Sequence, residues 1–217
     1  MKKIAHYAFY LIELLVVFFL YTMLQEFYFY PNIFGFGRFR AFVLALYTVL
    51  VFWFGFMIYN QQLKDKNNWG FSESFHLNWR NVLIAIVGFF IMRILYGVIM
   101  TAIGGGISQN QADLNDIQIT AGPTYQILTV IVGPICEELI FRGYLFNILF
   151  SNESNLSKWA GIIVSGFFFG YAHDPSFSPF LYVYWMMGCV LAGVYTTTKD
   201  IRCSMLTHMM WNLLSVI

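Results

Sequence analysis

Charge is what this sequence has least of. Its 217 residues hold 12 Lys and Arg and 11 Asp and Glu, 11% in all, where an ordinary soluble domain carries about 25%. So few charges cannot cover a water-soluble globule of this size. The formal net charge of +1 offers nothing to nucleic acid or another polyanion. Cysteine is almost as scarce. Cys136, Cys189 and Cys203 are odd in number and form no CxxC, which excludes a disulfide framework and a thiolate zinc site. Each lies in or at the end of an apolar run and reads as a packing residue. There is no repeat, no low-complexity tract, no HExxH and no stretch that reads as a soluble domain. A secretory cleavage site is missing too: the stretch Ala8 to Leu24 after Lys2 and Lys3 contains Glu13 and no small-x-small site, so it is expected to stay as a membrane helix.

What is present is apolar: 59% hydrophobic and 20% aromatic residues, with a mean hydropathy of +0.65. The fold class this predicts is all-α, a multi-pass transmembrane helix bundle. Apolar runs mark about seven helices, near 7–24, 41–59, 82–103, 124–150, 159–173, 179–197 and 203–217, with eight as the alternative count. The connections are Gln61–Arg80, a glycine-led loop Gly104–Pro123, and Ser151–Lys158. Two parts are expected: N-terminal transmembrane helices in 1–122 and a catalytic helical core in 123–217. With the N-terminus inside, the inner side carries Lys2, Lys3, Lys64, Lys66, Arg80, Lys158, Lys199 and Arg202, and the outer side only Arg38 and Arg40. The positive-inside rule then predicts a cell-membrane protein with a cytoplasmic N-terminus and, for seven spans, an outer C-terminus.

The informative residues are the polar ones that a bilayer makes costly, at about 2.5–3.5 kcal/mol for a charge at mid-helix. They are Glu13, Arg93, Glu137, Glu138 and Arg142, three of them in one helix. Glu138 and Arg142 are four apart and suit an intrahelical ion pair. Glu137 is rotated about 100° from Glu138, so its partner must come from another helix, or be Arg93 if the acid is only structural. Arg93 and Glu13 are open to pairing with each other or with the helix of the acids. Pro134, just before the acids, suggests a kink or break. Cys136 is a poor nucleophile, because burial beside two acids disfavours its thiolate. Of four histidines, His6 and His76 fall at or outside membrane ends, whereas His173 closes one span and His208 sits in another, four residues before Asn212. A glutamate, two imidazoles and an amide meeting in one pocket suffice to activate water and hold an oxyanion. The bland alternatives are an interfacial His173 and a His208–Asn212 pair that only joins helices. Gly166 and Gly170 read as a close-packing pair.

EExxxR (Glu137, Glu138, Arg142), FxxxH (Phe169, His173) and HxxxN (His208, Asn212) occur in that order. Over about residues 123–214 this resembles the CAAX-protease and bacteriocin-processing family of intramembrane endopeptidases, also called the Abi family. The resemblance implies that Glu137 activates water with help from His173. His208 and Asn212 would stabilise the oxyanion, and Glu138 with Arg142 would orient the helix. It implies a peptide or lipidated-protein tail as substrate, membrane lipid as surroundings, and no nucleic acid. Shortness suggests the prokaryotic peptide-processing and immunity branch. Family members have been described as metalloproteases. Glu137, His173 and His208 are the donor set a divalent metal such as zinc would use, while a metal-free water remains open. The competing functions are a non-catalytic self-immunity or peptide-binding protein of the same fold, and an ion-coupled transporter, which lacks the matching broken helix it needs.

Overall fold

The computed structural model describes residues 2–30, 35, 37–74 and 78–216, excepting the side chains of residues 2–6. His76 and the His6 side chain lie outside this set. Among the described residues there are eight helices and no strand: α1 (Lys2–Phe29), α2 (Arg40–Asp65), α3 (Trp79–Ala102), α4 (Gln109–Ala121), α5 (Pro123–Leu149), α6 (Asn155–His173), α7 (Phe180–Thr198) and α8 (Ile201–Val216). Five of them, α1, α2, α3, α5 and α7, are long and apolar enough to cross a membrane. The protein is a multi-pass helical bundle. Helices also occupy the expected spans at 159–173 and 203–217, but α6, as long as α7 at 19 residues, is less apolar than the five, and α8, at 16 residues, is shorter.

The loop expected at Gly104–Pro123 contains α4, which makes the helix count eight. Its sequence, QNQADLNDIQITA, is polar overall, with Leu114, Ile117 and Ile119 its only large apolar residues, so no broad apolar stripe announces it. Local chemistry forms it instead. Ser108 caps it by accepting the Gln111 N–H at 3.1 Å, as N-cap serines do. Gly104, Gly105 and Gly106 all have positive φ (83°, 74° and 107°), a conformation that turns the chain sharply out of α3 and that side chains resist.

Inside the bundle, several polar side chains are satisfied in pairs, as hydrocarbon requires. Gln62 donates to Glu13 at 2.9 Å and Tyr28 pairs with Thr48 at 3.0 Å, both between α1 and α2. Glu13 therefore pairs neither with Arg93 nor with the helix of the acids, the two partners considered above. Tyr144 of α5 donates to the Gly55 carbonyl of α2. The closest crossing joins α6 to α7. A Cβ on Gly188 would lie 2.7 Å from both Cα and O of Gly166, and one on Gly170 would lie 2.8 Å from the Trp185 nitrogen. Backbone meets backbone there, which small residues allow.

Gly188→Ala is therefore expected to destabilise the protein by about 1–3 kcal/mol, because backbone cannot move aside as a side chain would. Gly193→Ala on the same helix, with nothing within 4 Å of its new methyl, is the control expected to leave stability unchanged. Thermal unfolding of both variants in detergent checks the pair.

Candidate active site

The acids sit in a helix whose register changes twice. In α5, π-helical turns at Leu128–Val132 and Leu139–Phe146 bracket an α-helical stretch, Gly133–Glu138. Such widened turns often occur at functional sites. Of the kink or break expected at Pro134, the break does not occur: α5 continues through the proline, just after the first widened turn. Gly133 donates its N–H to the Leu128 carbonyl, five residues back. The next carbonyl in that register, Thr129, would need the N–H of Pro134, which has none. Asn212 of α8 supplies the donor, its Nδ2 lying 2.8 Å from the Thr129 oxygen. One of the two N–H groups of Asn212 is thus committed to the backbone, a role the spacing of HxxxN does not reveal.

Glu138 and Arg142 are fully buried and paired at 3.0 Å. Three helices converge on them. Arg142 Nη2 donates to the Gly188 carbonyl of α7 at 2.7 Å, and its guanidinium lies over the Phe169 ring of α6 at 4.8 Å. On α8, Ser204 donates to Glu138 Oε2, and His208 Nδ1 lies 3.1 Å from Glu138 Oε1. A carboxylate only accepts, so Nδ1 carries the proton and Nε2 is turned the other way.

That direction is toward Glu137. His208 Nε2 is 3.8 Å from Glu137 Oε2, and His173 Nε2 is 3.7 Å from the same oxygen. His173 is oriented by the same device. Its Nδ1 lies 2.8 Å from the Phe169 carbonyl, which again fixes the proton on Nδ1. Its ring is stacked on Tyr184 at 5.0 Å and lies 4.3 Å from Phe169. The other carboxylate oxygen, Glu137 Oε1, accepts the Tyr21 hydroxyl at 2.7 Å. Gly133 makes room for this contact, since a Cβ there would lie 3.3 Å from the Tyr21 oxygen and 3.6 Å from Oε1. Separations of 3.7–3.8 Å are too long for direct hydrogen bonds and within the reach of one bridging water.

These groups open into one cavity of about 180 Å³, lined among others by Tyr21, Glu137, His173, His208 and Asn212. A single water needs about 10–15 Å³ of such space. Phe169 also borders it. The structure thus brings together Glu137, His173, His208, Asn212 and Phe169, with Glu138 and Arg142 immediately behind. Sequence reasoning missed Tyr21 and Ser204. Ser204 lies four residues before His208, on its face of the helix, so that spacing was a usable signal. Tyr21 carries none: it is one of 14 tyrosines and 116 positions from its partner. Cys136 is buried at 2% exposure, out of reach of the cavity lining.

As a zinc site the three donors fit poorly. Among the described residues no three His, Cys, Asp or Glu side chains are grouped to hold a metal ion. The 3.7 and 3.8 Å separations exceed the roughly 3.3 Å edge of a tetrahedron with bonds of about 2.0 Å, and Tyr21 holds the second carboxylate oxygen.

Residues 121–214 match the family model described as type II CAAX prenyl endopeptidase Rce1-like. Among curated proteins, the chain is 36% identical over 143 residues to "Putative membrane peptidase YdiL" of Bacillus subtilis (strain 168), covering 63% of this chain and 56% of that protein. It is 31% identical over 136 residues to "Membrane-embedded CAAX protease MroQ" of Staphylococcus aureus (strain USA300), covering 59% and 54%. It is 26% identical over 136 residues to "UPF0177 protein YvdC" of Lactococcus lactis subsp. lactis (strain IL1403), covering 61% and 51%. The chain spans about half the length of the curated relatives it matches. No solved structure gives a significant match. The similarity to Rce1-like CAAX endopeptidases covers residues 121–214, less than half of the chain, and includes its three motifs. None of these similarities favours the immunity alternative.

Arg142→Met leaves the buried Glu138 without its guanidinium, with only Ser204 and His208 as partners, and is expected to cost about 3–5 kcal/mol of stability. Adding Glu138→Gln removes the charge and restores part of the loss, which a double-mutant cycle of unfolding measures. Asp174, in the loop after His173, accepts Ser176 and Ser178 hydroxyls at 2.5 Å each. Burial pushes its carboxyl up, but these bonds and backbone N–H groups of Leu181 and Ser178 outweigh it and hold it below its ordinary value. Its contribution is therefore fully present above the ordinary aspartate pKa of about 3.9 and lost as pH falls through the lowered folded value. Melting curves of wild type and Asp174→Asn should differ at neutral pH and converge in acid.

Proposed function

We propose that the protein is a membrane-embedded endopeptidase that hydrolyses a peptide bond with a water activated by Glu137. The observation that carries this reading is the convergence of two imidazole Nε2 atoms on one oxygen of Glu137, each ring held by its Nδ1 proton. The water lies between Glu137 Oε2 and His173 Nε2. As it attacks the carbonyl carbon, Glu137 takes its proton, and the C–O bond forms while the carbonyl π pair moves onto oxygen. To donate from Nε2 to that oxyanion His208 must carry both protons, its Nδ1 proton facing Glu138. The second N–H of Asn212 is the other donor. Glu137 then passes its proton to the leaving nitrogen as the C–N bond breaks. No step is routed through a metal.

Tyr21 is a positioning residue here. Its hydrogen bond holds Glu137 so that the opposite oxygen faces both imidazoles. The excess of inner Lys and Arg supports a cytoplasmic N-terminus. The family match supports a peptide or prenylated protein tail as substrate, with lipid around the outer helix faces.

The test is the purified protein in phosphatidylcholine vesicles with a fluorescent peptide ending in S-farnesyl-Cys-Val-Ile-Met, the products identified by mass spectrometry. Glu137→Gln and His173→Ala are expected to lower kcat by about 10²–10⁴-fold. His208→Ala and Asn212→Ala should lower it by about 10²–10³-fold, and Tyr21→Phe by about tenfold. Treatment with EDTA should leave cleavage intact. Equal cleavage by wild type and Glu137→Gln would overturn the mechanism, and activity lost to EDTA and regained with zinc would overturn its metal-free form.

A further inference from the structure

One charge within the membrane spans is unused by the chemistry above. Arg93 lies in α3, nine residues before the end of the helix at Ala102, about 13 Å below it at 1.5 Å per residue. A cation at that depth is costly and marks a functional contact by default. Among the described residues no carboxylate pairs with it. Its guanidinium lies instead over the rings of Trp211, at 5.4 Å, and Tyr96, at 5.9 Å.

Arg93, Tyr96 and Trp211 line a second cavity, of about 290 Å³. It shares the walls Gln111, Tyr184, Met187, Trp211 and Ser215 with the catalytic cavity. Trp211 is the partition. It stands three residues after His208 and one before Asn212 on α8, so one side chain touches the guanidinium and borders both cavities. His208 and Trp211 are neighbours on the helix surface, about 5–6 Å apart at Cβ.

We propose that Arg93 anchors the free C-terminal carboxylate of the bound peptide, in the cavity that adjoins the catalytic one. The proposal rests on the endopeptidase reading. A guanidinium that lies beside two aromatic rings and has no carboxylate partner among the described residues keeps N–H groups to offer a carboxylate. Ser108, Gln111 and Ser215 line the same space. A lipid phosphate is the poorer fit, because a headgroup would have to descend about 13 Å along α3 to reach this depth.

The test compares the S-farnesyl-Cys-Val-Ile-Met peptide as free acid and as C-terminal amide, in vesicles of phosphatidylcholine with and without phosphatidylglycerol. Wild type is expected to prefer the acid by about tenfold in kcat/KM, as befits one charge-assisted contact. Arg93→Gln should bring the ratio close to one, and Arg93→Lys should keep part of it, which also guards against a variant that folds badly. Equal cleavage of acid and amide by wild type would overturn the anchor while leaving the endopeptidase reading in place. An acid preference that survives in Arg93→Gln would overturn it as well. An Arg93-dependent response to phosphatidylglycerol without acid preference would assign the site to lipid and overturn the proposal. Binding is read separately by fluorescence anisotropy in Glu137→Gln. Tighter binding of acid than amide there, lost on adding Arg93→Gln, supports the anchor even if wild type cuts neither peptide, a result that would count against the endopeptidase reading alone.

Discussion

The arrangement depends on one buried carboxylate, that of Glu138. It receives the guanidinium of Arg142 from its own helix, and the Ser204 hydroxyl and His208 imidazole from α8. Through Arg142 it also holds the Gly188 carbonyl of α7. A buried ion pair is a doubtful source of net stability, since desolvation can exceed the Coulombic gain. Its consequence here is geometric. It fixes the tautomer and direction of His208 and ties α5, α7 and α8 to one point. The neighbouring Glu137, one residue earlier, then meets imidazoles whose reactive nitrogens are already aimed.

Backbone irregularity serves the same end. Pro134 and the widened turn before it leave the Thr129 carbonyl without a donor, and Asn212 fills the vacancy. The Gly133 backbone, without a Cβ, lets Tyr21 reach Glu137. What would be defects in an ordinary apolar helix are, in α5, the means by which side chains from α1 and α8 are registered against the acids.

Much of this was legible in the sequence, because in an apolar chain a polar residue is conspicuous. Glu137, Glu138, Arg142, His173 and His208 stand out by cost alone, and the helical period separates the two glutamates into different roles. The seven apolar helices were legible for the same reason. The eighth, α4, was not, because it is built by a serine cap and glycine turns rather than by an apolar stripe. Tyr21 was silent because a tyrosine in a membrane helix is ordinary and its partner is far away in the chain. The Glu13–Gln62 pair was silent too: a lone buried acid tells that it needs a donor, but not which one.

The hydrogen bond from Tyr21 has a consequence for how this protein is partitioned. The segment that carries the family resemblance begins at residue 121, yet the group steering its principal carboxylate is a hundred positions upstream, in α1. The C-terminal half is therefore not a portable cassette. Grafted onto foreign N-terminal helices it would retain every motif and lose the hydrogen bond that restrains Glu137, so inheritance of the motif set and inheritance of its geometry are separable events in this architecture.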